Sequence, residues 1–261
     1  MSRLRSALPL LPLAGALLLL FHRLLLGEVF FWGLPSLQFT PWRELAIALL
    51  REGQLPLWNV LSGAGAPLLA NYQSALLYPL SWPSFVLPTA WAMSATAVLH
   101  LFIAGWGMWA FTGALGANGL GRAVSALAFG LTSYLVARTG TYPMISAAAW
   151  LPWLMWAAHG LFGARPVRAA FWLALFAALL QLAGHAQTAW YSLLLTGLYS
   201  LFRAAQQRQA RTLLWAAGAV ALGAAVAALQ LAPTAELLLS SQRGGGVDAD
   251  FAFNFSYAPA R

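Results

Sequence analysis

The 261-residue chain contains no cysteine and no lysine, and only 8% of its residues are charged. Without cysteine it has no disulfide framework and no zinc site built on thiolates. Without lysine it has no phosphate-binding glycine loop of the kind that ends in Gly-Lys. It also contains no nucleophile-elbow sequence. These absences exclude several common classes of enzyme.

Apolar residues dominate the composition: 61% of the chain is hydrophobic, with 13 Trp and 15 Phe. A soluble domain of this length has too little interior for so much apolar surface. Charge-free runs that match the roughly 17–25 residues needed to cross a bilayer predict an all-α polytopic membrane protein with about seven transmembrane helices. The predicted spans are 7–26, 91–112, 121–138, 143–162, 168–184, 186–203 and 211–232.

The charges predict an orientation with the N-terminus in the cytoplasm and the C-terminus outside. In that orientation every acidic residue lies outside, and the short loops that carry arginine lie inside, as the positive-inside rule requires. The inner arginines are Arg3, Arg5, Arg122, Arg165, Arg168, Arg203, Arg208 and Arg211. The acidic residues are Glu28, Glu44, Glu52, Glu236, Asp248 and Asp250. Residues 1–23 are expected to be an uncleaved signal anchor, since no small-x-small cleavage site follows before Glu28.

The net charge of +8 does not indicate binding to nucleic acid. The arginines are spread over separate cytoplasmic loops and are not gathered on one face. We therefore expect membrane lipids, through their anionic headgroups, to be the partners of these arginines.

The long segment 27–90 is predicted to be an ordered loop outside the membrane. In its charge-free part after Gly53, five prolines interrupt any helix and would leave unpaired backbone groups in hydrocarbon. Within the loop, Thr40 as the cap, Pro41 at the first position and Gly53 at the exit predict an interfacial helix. Its apolar face is predicted to contain Trp42, Leu45, Ala46, Leu49 and Leu50. Glu44 and Arg51 are predicted to share the opposite face.

Three segments carry a resemblance to a known family. The first runs from Gln54-Leu-Pro-Leu-Trp-Asn59 through Gly65-Ala-Pro-Leu-Leu-Ala-Asn71-Tyr-Gln-Ser74 to Tyr78-Pro-Leu80. The others are Ala149-Trp-Leu-Pro-Trp153 and Gln181-Leu-Ala-Gly-His-Ala-Gln187. Together they resemble the YfhO-like bacterial membrane proteins, which are assigned to the GT-C class of glycosyltransferases. Val60 stands where that family usually has proline.

The resemblance implies a protein of the bacterial cytoplasmic membrane that takes a sugar from a polyprenyl-phosphate donor. The sugar would pass to an extracytoplasmic cell-envelope acceptor. Family members commonly have an Asp before the Pro-Trp-Arg segment, whereas Pro35 and Ser36 stand there in this chain. Family members are also longer. Residues 1–232 are therefore expected to form a GT-C-like transmembrane domain and 233–261 a truncated extracytoplasmic segment, with a separately encoded C-terminal half as a possible partner.

Sugar transfer needs a group that accepts the acceptor's proton and groups that hold the phosphate. Glu28 and Glu44 are the candidate catalytic bases. The candidate ligands of the donor phosphate are Arg43, Arg51 and His185. The candidate ligands of the sugar or acceptor are Trp58, Asn59, Asn71, Gln73 and Gln187. Each has a structural alternative: an interfacial or solvated charge, a hydrogen-bonded His at a helix break, or a side chain that fastens the loop.

The sequence contains no strong metal motif, and the cofactor stays unknown. Asp248 and Asp250 would place two carboxylates on one face of an extended strand, which suits a divalent cation but is also typical of solvated charge. Two other functions stay open. A catalytically inactive membrane scaffold or fragment would explain the missing Asp and the early end of the chain. A transporter of a lipid-linked substrate is disfavoured, because no acidic residue lies inside a predicted span.

Overall fold

The computed structural model describes residues 10–241, which are mostly helical with almost no sheet. The predicted cation ligands Asp248 and Asp250 and the expected strand over 251–257 lie outside the described residues. The α-helices are α1 (Leu11–Leu20), α2 (Thr40–Arg51), α3 (Thr89–Ala114), α4 (Gly119–Gly130), α5 (Ser133–Val136), α6 (Tyr142–Ala148), α7 (Leu151–Gly160), α8 (Pro166–Leu182), α9 (Ala186–Gln207), α10 (Thr212–Val226) and α11 (Ala228–Leu239).

The segment between α1 and α3 is built from short elements. A π-helical turn over Pro35–Phe39 leads directly into α2. Short 3-10 helices span His22–Leu26, Tyr72–Ser74 and Pro79–Phe85. Strands β1 (Trp58–Asn59) and β2 (Ala66–Pro67) pair antiparallel, with Trp58 opposite Pro67. The segment is therefore ordered without containing a long helix.

Two stretches of the described chain are long and apolar enough to cross a membrane: the 26-residue α3, and the 18 residues of Gly119–Val136 that contain α4 and α5. Helices α10 and α11 meet at an angle of 79° and would make a third if they form one broken span. The shorter apolar helices α1 and α8, of 10 and 17 residues, overlap the predicted spans 7–26 and 168–184. A helical membrane protein is thus supported at this coarser level, and the seven crossings stay a prediction.

The predicted span 143–162 consists of two helices rather than one. Helix α6 ends at Ala148, and α7 begins at Leu151 with Pro152 in its first turn. Proline has no backbone N–H to donate to the preceding turn, so a new helix begins there more easily than the old one continues. Trp150 stands at this junction and is buried.

Helix α3 is the centre of the bundle and packs against α1, α4, α6 and α7. Glycines allow the helices on one side of it to approach closely. A Cβ atom on Gly105 of α3 would lie 2.5 Å from the side chain of Leu13 in α1 and 2.8 Å from the carbonyl oxygen of Ala126 in α4. Small residues bring membrane helices together in this way. A second core lies among α7, α8 and α10, around Leu154, Leu173 and Leu180.

A buried chain of hydrogen bonds joins the loop to this bundle. The indole N–H of Trp150 donates to the hydroxyl oxygen of Tyr78 at 2.9 Å. The Tyr78 hydroxyl lies 2.6 Å from Nε2 of His100, and Nδ1 of His100 lies 2.6 Å from the carbonyl oxygen of Thr96. A single assignment satisfies every group: Tyr78 donates to Nε2, and Nδ1–H of His100 donates to Thr96.

We predict that Tyr78→Phe lowers the free energy of unfolding by about 1–3 kcal/mol, because it leaves Trp150 and His100 with unpaired buried polar groups. Thermal unfolding in detergent measures the change. Tyr134→Phe is the matched control, since Tyr134 is 51% exposed and, among residues 10–241, its hydroxyl bonds only to the sulfur of Met144, at 3.9 Å. Equal losses of stability in the two variants would contradict the role assigned to the chain of hydrogen bonds.

Candidate functional site

A small cavity with a mixed apolar and polar lining lies where the loop meets the helical bundle. Its volume is about 40 Å³, enough for roughly three water-sized groups at ~10–15 Å³ each. Helix α2, the turn Tyr72–Ser74, α3, α6 and Ala183 surround it. The polar residues that line it are Arg43, Gln73, Ser74, Tyr78, Ser81, Thr96, Tyr142 and Ser146.

Arg43 is the charged group of this cavity. It is only 4% exposed, and its Nη2 donates to the carbonyl oxygen of Ser74 at 3.1 Å. Its Nη1 and the Ser74 hydroxyl are both buried and find no hydrogen-bond partner among the described residues. Burial lowers the pKa of the Arg43 guanidinium to about 10, so it stays protonated at neutral pH.

The charge of Arg43 lacks a compensating carboxylate. No Asp or Glu lines the cavity, and in residues 10–241 the ion pair that forms joins Arg23 to Glu28 instead. A buried charge is costly unless it is paired, and an unpaired buried donor is costly as well. The cavity therefore suits an anion that accepts hydrogen bonds from Arg43 and Ser74.

The predicted faces of α2 were partly wrong. Thr40 caps nothing, because the π-helical turn continues into α2 and leaves no free helix start at that residue. The buried residues of α2 are Arg43, Ala46 and Ile47, whereas Leu50 of the predicted apolar face is 43% exposed. A hydropathy pattern predicts that an arginine is exposed to solvent. Here the carbonyl oxygens of Ser74 and Ala75 accept hydrogen bonds from the guanidinium, so the side chain is buried.

Two of the three segments singled out in the sequence line this cavity, and the remaining one, which contains Trp150, is hydrogen-bonded to Tyr78 beside it. Gly184 has a φ of +85°, and a Cβ atom there would lie 2.5 Å from the carbonyl oxygen of Tyr72. The Tyr72 hydroxyl donates to the carbonyl oxygen of Gln181, 109 residues away, and burial raises the pKa of this hydroxyl to about 12. The indole N–H of Trp150, in the second segment, donates to the hydroxyl of Tyr78, which belongs to the first segment. Sequence analysis found each segment but not their convergence.

Two predicted sugar ligands belong to the turn beside Arg43. Gln73 lines the cavity, and its side-chain oxygen accepts a hydrogen bond from Gln38 at 3.2 Å. The Asn71 side chain accepts a hydrogen bond from the backbone N–H of Gln73 at 3.1 Å, which caps the turn Tyr72–Ser74. Gln73 is thus placed to contact a ligand, and Asn71 holds the turn in place.

Trp58, Asn59 and Gln187 lie outside the cavity. The buried Asn59 side chain accepts a hydrogen bond from the backbone N–H of Leu61 at 2.9 Å. The indole of Trp58 covers Gly65, where a Cβ atom would come within 2.2 Å of Nε1. Gln187 is exposed on α9 and donates to the Tyr191 hydroxyl at 3.1 Å. Trp58 and Asn59 therefore stabilise the hairpin of β1 and β2.

His185 caps a helix. It is the residue before α9, and its Nδ1 accepts hydrogen bonds from the Thr188 backbone N–H at 3.2 Å and from the Thr188 hydroxyl at 2.8 Å. Burial and the nearby charge of Arg138 both lower the pKa of His185. The neutral, capping form is the one that this geometry favours, and His185 does not line the Arg43 cavity.

The candidate bases lie away from Arg43. Glu28 is bonded to Arg23 at 2.8 Å, with both side chains exposed. Glu44 and Arg51 line a separate surface groove of about 510 Å³ on the other side of α2. Consecutive helical residues point ~100° apart, so Glu44 cannot face the cavity into which Arg43 points. The structure therefore brings the candidate base Glu44 together with Arg51, but it brings no candidate carboxylate to Arg43.

No group of three His, Asp or Glu side chains within residues 10–241 is arranged to hold a metal ion. Sequence analysis also missed the cavity residues Ser74, Tyr142 and Ser146. Ser74 stood inside a recognised segment, but nothing in its local pattern distinguished it from a residue that only closes a turn.

The chain matches no protein-family model, no curated protein and no solved structure. The candidate site is therefore defined by its own geometry.

We predict that Gly184→Ala destabilises the protein by several kcal/mol. The substitution forces a side chain into the left-handed backbone region, at about 1 kcal/mol, and against a backbone oxygen that cannot easily move, at about 1–3 kcal/mol more. Gly197→Ala on α9 is the control, because nothing lies within 4 Å of its added Cβ. Thermal unfolding in detergent separates the two, and a Gly184→Ala protein as stable as Gly197→Ala would refute this close packing.

Proposed function

We propose that this chain is a YfhO-like, GT-C-like membrane protein that acts on a polyprenyl-phosphate-linked sugar at the outer face of the bacterial cytoplasmic membrane. The sugar would pass to a cell-envelope acceptor. One observation carries the proposal: two of the three segments that resemble this family line a cavity in which a buried, protonated Arg43 has an unpaired donor among the described residues, and the remaining segment is hydrogen-bonded to Tyr78 of that cavity.

Arg43 would hold the donor phosphate. A guanidinium offers planar, parallel donors that match phosphate oxygens, and its hydrogen bonds to an anion are about twice as strong as neutral ones. The cavity of about 40 Å³ has room for phosphate oxygens and not for a sugar ring. The sugar would therefore lie beyond the phosphate, on the side of the exposed Gln73.

The topology that goes with this proposal has seven crossings, the N-terminus inside and the segment 27–90 outside. The distribution of arginine supports this orientation. The break between α8 and α9 contacts the turn at Tyr72, so the proposal places that break at the outer face as well. Glu44 stays the closest candidate base in sequence to Arg43, and it would need to reach the acceptor from its own groove.

A second candidate is a protein that binds the lipid-linked donor without transferring its sugar. A specific observation favours it: among the described residues, no carboxylate and no His lines the cavity. The segment before Pro41 also lacks the Asp that the family commonly has there. Binding of the donor needs Arg43 alone, whereas transfer also needs a base that is supplied by another part of the protein or by a partner.

The test is sugar transfer and donor binding by the full chain in proteoliposomes that contain a radiolabelled polyprenyl-phosphate sugar. Arg43→Gln should weaken donor binding and transfer by roughly 100-fold, because hydrogen bonds to a charged group contribute about 1.5–3 kcal/mol. Arg43→Lys should lie between that variant and the native chain. Arg211→Gln, an exposed arginine beyond the far end of α9, should have no effect.

Binding without transfer in the native chain would favour the second candidate. Undiminished donor binding by a folded Arg43→Gln protein would overturn the phosphate site and, with it, both candidates. Unfolding temperatures of the three variants show whether a loss of binding reflects the site or the fold.

A further inference from the structure

A basic groove lies at the opposite end of α8 from the Arg43 cavity. Its volume is about 290 Å³, and it is formed by the end of α3, by α7 and by the start of α8. His159, Arg165 and Arg168 line it, and no acidic residue does. Within residues 10–241, the guanidinium groups of Arg165 and Arg168 form no ion pair or hydrogen bond. The groove therefore presents uncompensated positive charge.

An aromatic groove continues from the basic one. Its volume is about 370 Å³, and five tryptophans line it together with Leu80, Ile103 and Phe176. Trp156 and Trp172 belong to both grooves, so the two are contiguous. Trp150 and Trp153 point their N–H groups inward, to Tyr78 and to the carbonyl oxygen of Ile103, and leave apolar rings toward the groove.

We propose that the two grooves together bind one anionic phospholipid. Its phosphate would lie against Arg165 and Arg168, and an acyl chain would lie along the tryptophans. Basic pockets between helices at a membrane surface recognise anionic headgroups in this way, and aromatic side chains with an apolar body suit the region just below the headgroups. A soluble anion would leave the aromatic groove unused.

The dimensions match a lipid. Arg168 is the third residue of α8 and Trp172 is the seventh, which places the indole roughly 6 Å deeper along the helix at 1.5 Å per residue. Leu80, at the far end of the aromatic groove, belongs to the 3-10 helix that also packs near the Arg43 cavity. The 17 residues of α8 span about 25 Å, close to the ~30 Å of a hydrocarbon core.

This site is independent of the proposed function. It uses none of the residues around Arg43, and it holds in whichever direction the chain is inserted, since it requires only that the Arg165 end of α8 reaches one leaflet. The lipid would contact helices α7 and α8 from outside the bundle.

The experiment is native mass spectrometry of the purified full chain in detergent, with phosphatidylglycerol and phosphatidylcholine of identical acyl chains. Phosphatidylglycerol should bind with a half-saturating concentration at least tenfold below that of phosphatidylcholine. Arg165→Gln with Arg168→Gln should raise it roughly 30-fold, because each arginine beside an anionic headgroup contributes about 1 kcal/mol and every ~1.4 kcal/mol is tenfold in affinity. Arg208→Gln with Arg211→Gln removes the same charge outside the grooves and should leave it unchanged.

Two further arms identify the ligand. Trp172→Leu should weaken the binding of phosphatidylglycerol without changing its preference over phosphatidylcholine. Glycerol phosphate, which has no acyl chain, should not compete. Equal binding of the two lipids, equal losses in the two double-arginine variants, or full competition by glycerol phosphate would each overturn the proposal. Unfolding temperatures in lipid-free detergent confirm that each variant is folded.

Discussion

The burial of one guanidinium is the constraint on which the architecture of the loop depends. Arg43 faces inward from α2 because the carbonyl oxygens of Ser74 and Ala75 accept its hydrogen bonds. Those oxygens are available only where the turn Tyr72–Ser74 holds them, and the Asn71 side chain caps that turn. The position of a charged group in the interior is thus set by backbone geometry elsewhere in the loop.

The helical bundle holds the turn Tyr72–Ser74 in place. Gly184 permits the break between α8 and α9 to press against Tyr72, and the Tyr72 hydroxyl bonds to the end of α8. The chain of hydrogen bonds through Tyr78, His100 and Trp150 attaches the next part of the loop to α3 and to the α6–α7 junction. A proline-rich segment without a long helix is ordered by these few contacts, because each satisfies polar groups that burial would otherwise leave unpaired.

The sequence patterns predicted correctly those helix ends and breaks that neighbouring residues determine. The helix expected between Pro41 and Gly53 and the break at Gly184-His185 follow from proline and glycine preferences, and the structure confirms both, with the helix over Thr40–Arg51. The cap at Thr40 and the face of α2 were wrong because they depend on the preceding π-helical turn and on carbonyl oxygens 31 and 32 residues away. Hydropathy cannot register such partners. The separation of Glu44 from Arg43 likewise depends on which side of α2 is buried.

The same distinction applies to the grooves. Arg165 and Arg168 were expected to meet lipid headgroups on the evidence of charge alone. Their combination with a tryptophan-lined surface appears only when α7 and α8 fold back on each other, because Trp156 and Trp172 are adjacent in space but not in sequence. At both ends of α8, the groups that form the cavity and the grooves are therefore brought together by packing between segments that are distant in sequence.

We propose that Arg43, a buried cation, binds an anion. The most direct measurement is nitrogen NMR of the full chain in detergent, with arginine labelled by ¹⁵N and the Arg43 side-chain signals assigned by their loss in Arg43→Lys. Titration with a short-chain prenyl phosphate should shift the Arg43 signals at concentrations that leave those of Arg208 and Arg211 unchanged. Arg43 signals that do not move, or that move only together with those of the exposed arginines, would contradict the account.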